Sequence, residues 1–229
     1  MKIAVMSPKS TVGSPESINR FEESSVEWLG FGDSYRLTTL QPGLTPAKLI
    51  TTELRNPFPI FALMILRLAV TKDIPFMMQL VRKVIPLMRA AGNFQWGDDY
   101  PNPEVFANDI TISQLWVAEL ENKIVGFSAI TTDQDPEYAD AGWDITEKAI
   151  VTHRLAVDPD CQGKGIAKAL MNQAEQVAKD SGISILRVDT NSKNMATQAL
   201  FPKLGYQFSG EIGLAKRPGL RFFCYQKLL

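Results

Sequence analysis

Three groups of residues in this sequence combine types and spacings that could do chemistry. The first is R-L-A-V-D-P-D-C-Q-G-K-G-I-A-K-A-L, residues 154–170. An apolar strand ends at Val157, D-P-D turns the chain, and Gly163 and Gly165 lead directly into a helix. That helix carries Ile166, Leu170, Ala174, Val177 and Ala178 on one stripe. Amide N–H groups at a helix start lack internal partners, the dipole adds positive potential there, and glycines let the backbone approach a ligand closely. The segment therefore reads as a phosphate cradle, with a plain capping turn as its bland alternative. It is not a Walker loop, because Ile166 follows Lys164-Gly165 where Ser or Thr is needed. Nor is it a dinucleotide fingerprint, because position 168 is Lys where a third Gly is required.

The second group is His153 alone, the single His of the chain. An imidazole whose ordinary pKa is near 6.5 suits removal of a proton at neutral pH. Strand periodicity of two places residues 153, 155 and 157 on one face; a lone strand His otherwise serves structure. The third group is aromatic and acidic. Residues 92–103 mix Phe94, Trp96 and Tyr100 with Asp98 and Asp99, and Y-A-D-A-G-W adds Tyr138, Asp140 and Trp143. Aromatic walls with carboxylates suit a cationic amine. The competing reading is a solvated acidic loop whose aromatics cover a sheet.

The surrounding elements must position these groups. Before residue 62, clusters of Ser, Thr, Pro and Gly interrupt any periodicity, and nothing longer than a short strand is expected; residues 1–62 read as an extension and 63–229 as one compact domain. Within the domain, Leu63–Val70 reads as a strand, part of the 13-residue apolar run Phe58–Val70, which suits a buried strand. Thr71 and Asp73 open a helix with Pro75 in its first turn, and Pro86 is expected to kink or break it. A short helix around Glu104–Asp109 precedes a hairpin, Leu115–Leu120 and Ile124–Thr131, around E-N-K. Strands follow at Lys148–Val157, Ile185–Asp189, Tyr206–Glu211 and Arg221–Gln226, with helices at Gly165–Lys179 and Met195–Leu204. This order indicates an α/β chain, a mixed α+β sheet.

Composition limits the function classes. Among 229 residues, 24 Lys and Arg against 25 Asp and Glu leave a net charge of −1, which opposes a basic nucleic-acid surface. One His cannot build a multi-His zinc site, so no metal is expected. Two Cys, at 161 and 224, make no disulfide framework and point to a reducing compartment. The apolar run is too short to cross a membrane and the N-terminus lacks a secretory pattern. The expectation is a cytoplasmic protein, with organellar import left open, that binds neither membrane nor nucleic acid.

The order Q-x-x-G-x-A, Gln162 to Ala167, resembles the pyrophosphate loop of the GNAT superfamily of N-acetyltransferases, whose pattern is Q/R-x-x-G-x-G/A after a splayed strand. Downstream, V-D-T-N-S-K-N-M-A-T-Q-A-L-F-P-K-L-G-Y resembles the superfamily's next strand and helix, where an Asn precedes an aromatic by seven residues; Asn194 and Phe201 hold those positions. The hairpin L-W-V-A-E-L-E-N-K-I-V-G-F resembles its second and third strands. The resemblance covers residues 63–228, about 165 of 229. Met64-Ile65-Leu66-Arg67 is similar to the opening of a complete GNAT chain, so the residues before it are either a genuine extension or a start codon placed too early.

The resemblance implies a GNAT-like acyl-CoA N-acyltransferase fold, acetyl-CoA as co-substrate, and direct transfer to a small-molecule or peptide amine. It implies that the main chain of Leu155 and Val157 holds the pantetheine arm and polarises the thioester. The N–H groups of Gln162, Gly163, Lys164, Gly165, Ile166 and Ala167 would take the pyrophosphate, with Lys164 screening charge. Asn194 would bond the pantetheine arm or neighbouring backbone, its alternative being a helix cap. In arylalkylamine N-acetyltransferases of the superfamily, a His two residues before the position of Leu155 helps remove the amine's proton, and His153 falls there. Trp96, Asp99, Tyr100, Tyr138 and Trp143 are the acceptor-side candidates. Phe201 departs from the pattern, since many members carry a Tyr there that protonates the departing thiolate. That departure supports a second reading, a catalytically weakened acyl-CoA-binding or regulatory module; a third is an interaction scaffold that uses residues 1–62. Direct transfer gives Cys161 no nucleophilic role. Both monomer and homodimer remain open.

Overall fold

The computed structural model describes residues 64–229 in full and, before them, the backbone of β1 (Trp28–Phe31), β2 (Ser34–Leu40) and β3 (Leu49–Arg55). The chain divides into Met1–Ile60 and Phe61–Leu229. In the first unit, β1, β2 and β3 form an antiparallel meander, more regular than the broken periodicity there suggested. Residues 56–63, including the expected strand start at Leu63, lie outside the described residues.

The second unit is a seven-stranded mixed sheet with strand order β4-β5-β6-β7-β8-β10-β9. Its first strand, β4 (Ile65–Leu68), corrects the buried-strand reading: it pairs only with β5 (Leu115–Leu120), and Ile65 and Leu68 are exposed. Arg67 ties this outer strand down by ion pairs to Asp73 and Glu119. Helix α1 (Ile74–Ala90) starts on Pro75 as expected but runs through Pro86, where a break was expected. Both Pro86 and Arg82 are exposed, so the Arg82 carbonyl that loses its donor faces solvent and the rest of the helix persists. Asn102 caps α2 (Pro103–Thr111) by accepting from the Val105 amide at 2.9 Å.

Strand β5 turns into β6 (Lys123–Thr131) through Glu121 and Asn122, both at positive φ (50° and 62°). This is the two-residue turn whose twist suits paired strands. Next come β7 (Ile150–Val157), α3 (Ile166–Asp180), β8 (Ile185–Asn191), α4 (Met195–Lys203), β9 (Gln207–Leu214) and β10 (Arg217–Leu228). Only β7 and β8 run parallel, joined by the α3 crossover. Helices cover both sheet faces. Met77, Leu80, Val81 and Phe106 of α1 and α2 pack on Leu115, Val117, Phe127 and Ala156. On the other face, Met171, Ala174 and Phe201 of α3 and α4 pack on Ile130, Ile150, Leu186 and Val188.

Two features of β7 shape the site. Phe127 pairs with Ala156 and Ala129 with His153, so Arg154 and Leu155 together oppose Ser128, and Arg154 takes φ 55°. This is a β-bulge, which adds a residue and increases twist. The pairing of β7 with β8 covers only Ile150 to Thr152, after which the strands diverge. The bulge also reverses the alternation of faces. Ile150 packs toward α3 and Val151 toward Tyr138 and Trp143, whereas beyond the bulge Leu155 and Val157 pack toward α3 and Ala156 toward α1. His153 keeps the parity of Val151, so the expectation that 153, 155 and 157 share a face is corrected.

Helix α3 lies so close to β6 that a methyl group added at Gly126 would sit 2.8 Å from Ile166 Cγ2 and 3.0 Å from the Ala156 carbonyl oxygen. Gly126→Ala should cost about 1–3 kcal/mol in urea unfolding with an unchanged m-value, since overpacking forces backbone or rotamer shifts.

Candidate active site

Where β7 and β8 part, a cavity of about 350 Å³ opens. Its walls come from β7 (Thr152, His153, Arg154, Leu155), β8 (Val188, Asp189, Thr190) and α4 (Thr197, Phe201). Gln95, Trp96 and Tyr100 close it from the α1–α2 loop, and Lys216 and Arg217 from the β9–β10 hairpin. Main-chain groups of β7 from His153 to Val157 meet no paired strand on the β8 side. An extended ligand can bond there as an added strand would.

Beyond Val157 the chain makes a short turn, Pro159–Cys161, in which the Asp158 side chain accepts from the Asp160 amide at 3.0 Å. Gly163 and Gly165 then take φ 76° and 77°, the left-handed region natural to glycine, with open space where side chains would stand. The first helical bond of α3 runs from the Ala169 amide to the Gly165 carbonyl at 2.9 Å. The amides of residues 163–168 find no acceptor among the described residues. A solvent-exposed row of unpaired N–H groups at a 15-residue helix is suited to an anion such as pyrophosphate. Gln162 differs, its amide reaching the Pro159 carbonyl at 3.4 Å. Lys164 is exposed beside the row, Ile166 is buried under it, and Ala167 is half-buried.

Electrostatics around His153 favour a neutral imidazole. Burial pushes its pKa below the ordinary 6.5, nearby Arg154 and Lys216 act in the same direction, and Asp189 opposes them. With Nε2–H donating toward the Asp133 carbonyl oxygen at 3.4 Å, Nδ1 carries the lone pair. Behind it, Arg154 donates to Asp109 Oδ1 at 2.8 Å and to the Tyr100 hydroxyl at 3.1 Å, an ion pair between nearly buried partners. Burial pushes the Asp109 carboxyl up, while Arg154 pulls it down.

The other expected residues fall in several places. Trp96 is buried, stacked on Phe127 with centroids 6.3 Å apart, and Tyr100 is half-buried; both line the cavity. Asp99 is exposed and does not line it. Tyr138 and Trp143, expected in an acceptor loop, are core residues packed edge-on at 5.0 Å. A short 3-10 turn, Pro136–Ala141, points Tyr138 inward, and its hydroxyl donates to Asp189 Oδ1 at 2.6 Å. Tyr138 thus touches the cleft only through Asp189. Asn194 caps α4 by accepting from the Thr197 amide at 3.4 Å. Phe201 is buried edge-on to Tyr225 and borders the cavity. Arg154, Asp189, Lys216 and Arg217 were missed. Arg154 and Asp189 each lie inside a quoted motif, yet only the bulge and the strand divergence reveal where they point.

Among the described residues, no helix is long and apolar enough to cross a membrane. Residues 81–206 match the acetyltransferase (GNAT) family. The chain is 34% identical to N-acetyltransferase 8B of Homo sapiens over 111 residues, 45% of this chain and 46% of that protein. It spans about half the length of the curated relatives it matches. A GNAT-family acetyltransferase of Streptococcus agalactiae superposes with TM-score 0.62 at 26% identity, covering 72% of this chain and 95% of that one. The PaiA N-acetyltransferase of Thermoplasma acidophilum, solved with coenzyme A, superposes with TM-score 0.54 at 18% identity over 72% and 99%, a likeness of fold.

Removing Asp109 would leave the Arg154 guanidinium buried without a counter-charge. Asp109→Ala should therefore lower unfolding free energy by about 3–5 kcal/mol, measured by chemical denaturation.

Proposed function

The chain belongs to the acetyltransferase (GNAT) family, and on that premise we propose that it transfers an acetyl group from acetyl-CoA to a primary amine by direct attack. The observation that carries the proposal is the row of unpaired amides at residues 163–168, placed directly after a strand that parts from its neighbour. The row, with Gln162 beside it and Lys164 screening charge, takes the pyrophosphate. The free edge of β7 around Leu155 and Val157 holds the pantetheine arm. Asn194 and Phe201 border the same passage, Asn194 by fixing the start of α4 and Phe201 as an apolar wall.

An acceptor enters as an ammonium ion and must lose a proton before it can attack. Nδ1 of His153, directly or through a water, takes that proton. The freed lone pair attacks the thioester carbon, and a main-chain N–H of β7 stabilises the developing oxyanion, a donor of this kind contributing about 3 kcal/mol. The C–N bond forms, the C–S bond breaks, and the second nitrogen proton leaves as the thiolate takes one up. Phe201 cannot donate it. A thiol with pKa near 8.5 is a good leaving group, and water serves. Trp96 and Tyr100 wall the acceptor side.

The test is thiol release from acetyl-CoA across an amine panel, alongside calorimetric titration with CoA. His153→Gln should lower kcat by about 10²–10⁴ while leaving CoA affinity unchanged. Because burial lowers the His153 pKa, the base form persists into mild acid. The acid limb of kcat/KM attributable to it should therefore lie below pH 6.5 and vanish in the variant. Absence of CoA binding at millimolar concentration would overturn the proposal. Tight binding without thiol release for any amine would instead establish the weakened module that Phe201 favours.

A further inference from the structure

We propose that Arg217 forms a carboxylate subsite in the acceptor side of the cleft, so that the amine acetylated is one that also carries a carboxylate, as an α-amino acid does. The inference rests on the transferase reading of the cleft but comes from a different set of side chains. Three cations reach the cavity from the bulge and the β9–β10 hairpin: Arg154, Lys216 and Arg217. Two are already matched. Arg154 is committed to Asp109 and Tyr100. Lys216 Nζ lies 2.8 and 2.6 Å from the two carboxylate oxygens of Asp135.

Arg217 is placed differently. Its guanidinium carbon stands 4.5 Å from the Tyr100 ring centroid, over the face of the ring. Among the described residues, its one hydrogen bond runs from Nη1 to the Lys216 carbonyl at 3.1 Å, and it has no carboxylate partner. Stacking holds a guanidinium by its face and leaves N–H groups at its edge for a planar, two-oxygen ligand. The platform is itself fixed, because the Tyr100 hydroxyl accepts from Arg154. The half-buried site means that a carboxylate meets this donor edge partly out of water, where charge-assisted bonds gain strength.

The opposite charge is supplied in the same cavity. Asp189 Oδ1 accepts from Tyr138, and its carboxylate faces the cleft near His153. A zwitterion therefore finds an anionic group beside the proposed base and a cationic group on the hairpin. A cavity of about 350 Å³ is at the small end of ligand pockets, in keeping with an amino acid and not a bulky conjugate.

The test compares glycine, L-alanine, L-aspartate and L-phenylalanine with their α-carboxamides, as acceptors with acetyl-CoA and as calorimetric ligands of the CoA-saturated protein. Wild type should favour acids over amides. Arg217→Gln should raise KM and Kd for the preferred acids about 10- to 100-fold, leave the amides little changed, and spare CoA affinity. Arg217→Lys, which keeps charge but loses the fork, should fall between them. If Arg217 merely braces the hairpin on Tyr100, acids and amides will suffer equally, and the subsite is overturned. Amino-acid binding that depends on Arg217, without acetylation of any amine, overturns the transferase reading and leaves the subsite standing. Acetylation that ignores both Arg217 and the carboxylate does the reverse. No binding and no turnover for the whole panel overturns both.

Discussion

Arg154 carries a positive φ, and its guanidinium is held against Asp109 and Tyr100; the rest of the site depends on these two facts together. A non-glycine residue in the left-handed region is strained, and surrounding structure must hold it there. The Asp109 pair supplies that hold from α2, a helix already fixed by its Asn102 cap and by Phe106 in the core. The bulge adds twist to β7, and its pairing with β8 ends just before it, at Thr152. A sheet would ordinarily close such an opening, because unpaired backbone groups in a buried setting are costly. Here they remain available at the edge of a cavity, and the phosphate-suited loop begins directly beyond them.

Much of this was legible in the residues. Gly163 and Gly165 mark left-handed positions that other residues occupy only under strain, and the apolar stripe after them leaves no alternative to a helix. The hairpin was legible too, although the two positive-φ residues, Glu121 and Asn122, lack the usual glycine. What could not be read was the bulge. Nothing in H-R-L distinguishes Arg154 from a regular strand residue, and one unmarked insertion is enough to move His153 to the opposite face from Leu155. Y-A-D-A-G-W misled for a related reason. Its alternating aromatic and acidic residues suggest a polar wall, but the 3-10 turn sorts them by depth, burying Tyr138 and Trp143 and leaving Asp140 outside. Pro86 and the Phe58–Val70 run show that local rules yield to position: proline is tolerated where the freed carbonyl meets water, and an apolar strand can end as the outermost one.

The near-zero net charge conceals strong local ordering. Cations and carboxylates around the cleft are mostly paired: Arg154 with Asp109, Lys216 with Asp135, Lys83 with Asp158 and Asp160 near the start of the loop. Pairing keeps the wall from acting as a general ion trap. It gives weight to the few groups with spare capacity, namely Arg217, Asp189 and the amide row. Backbone N–H groups are well suited to the phosphate role, since their direction is set by the helix and does not depend on ordering a long side chain.

The reversal of faces across the bulge also bears on how this chain tolerates change in length. Substitutions in β7 alter one side chain at a time. A deletion of a single residue between Thr152 and Leu155 would restore regular alternation and turn Leu155 and Val157 from the α3 side to the α1 side. The loop and helix that follow would then leave the strand half a turn out of place. Evolution can therefore retune this segment by exchange of residues far more readily than by insertion or loss, and the odd residue at position 154 acts as a frame marker for everything downstream.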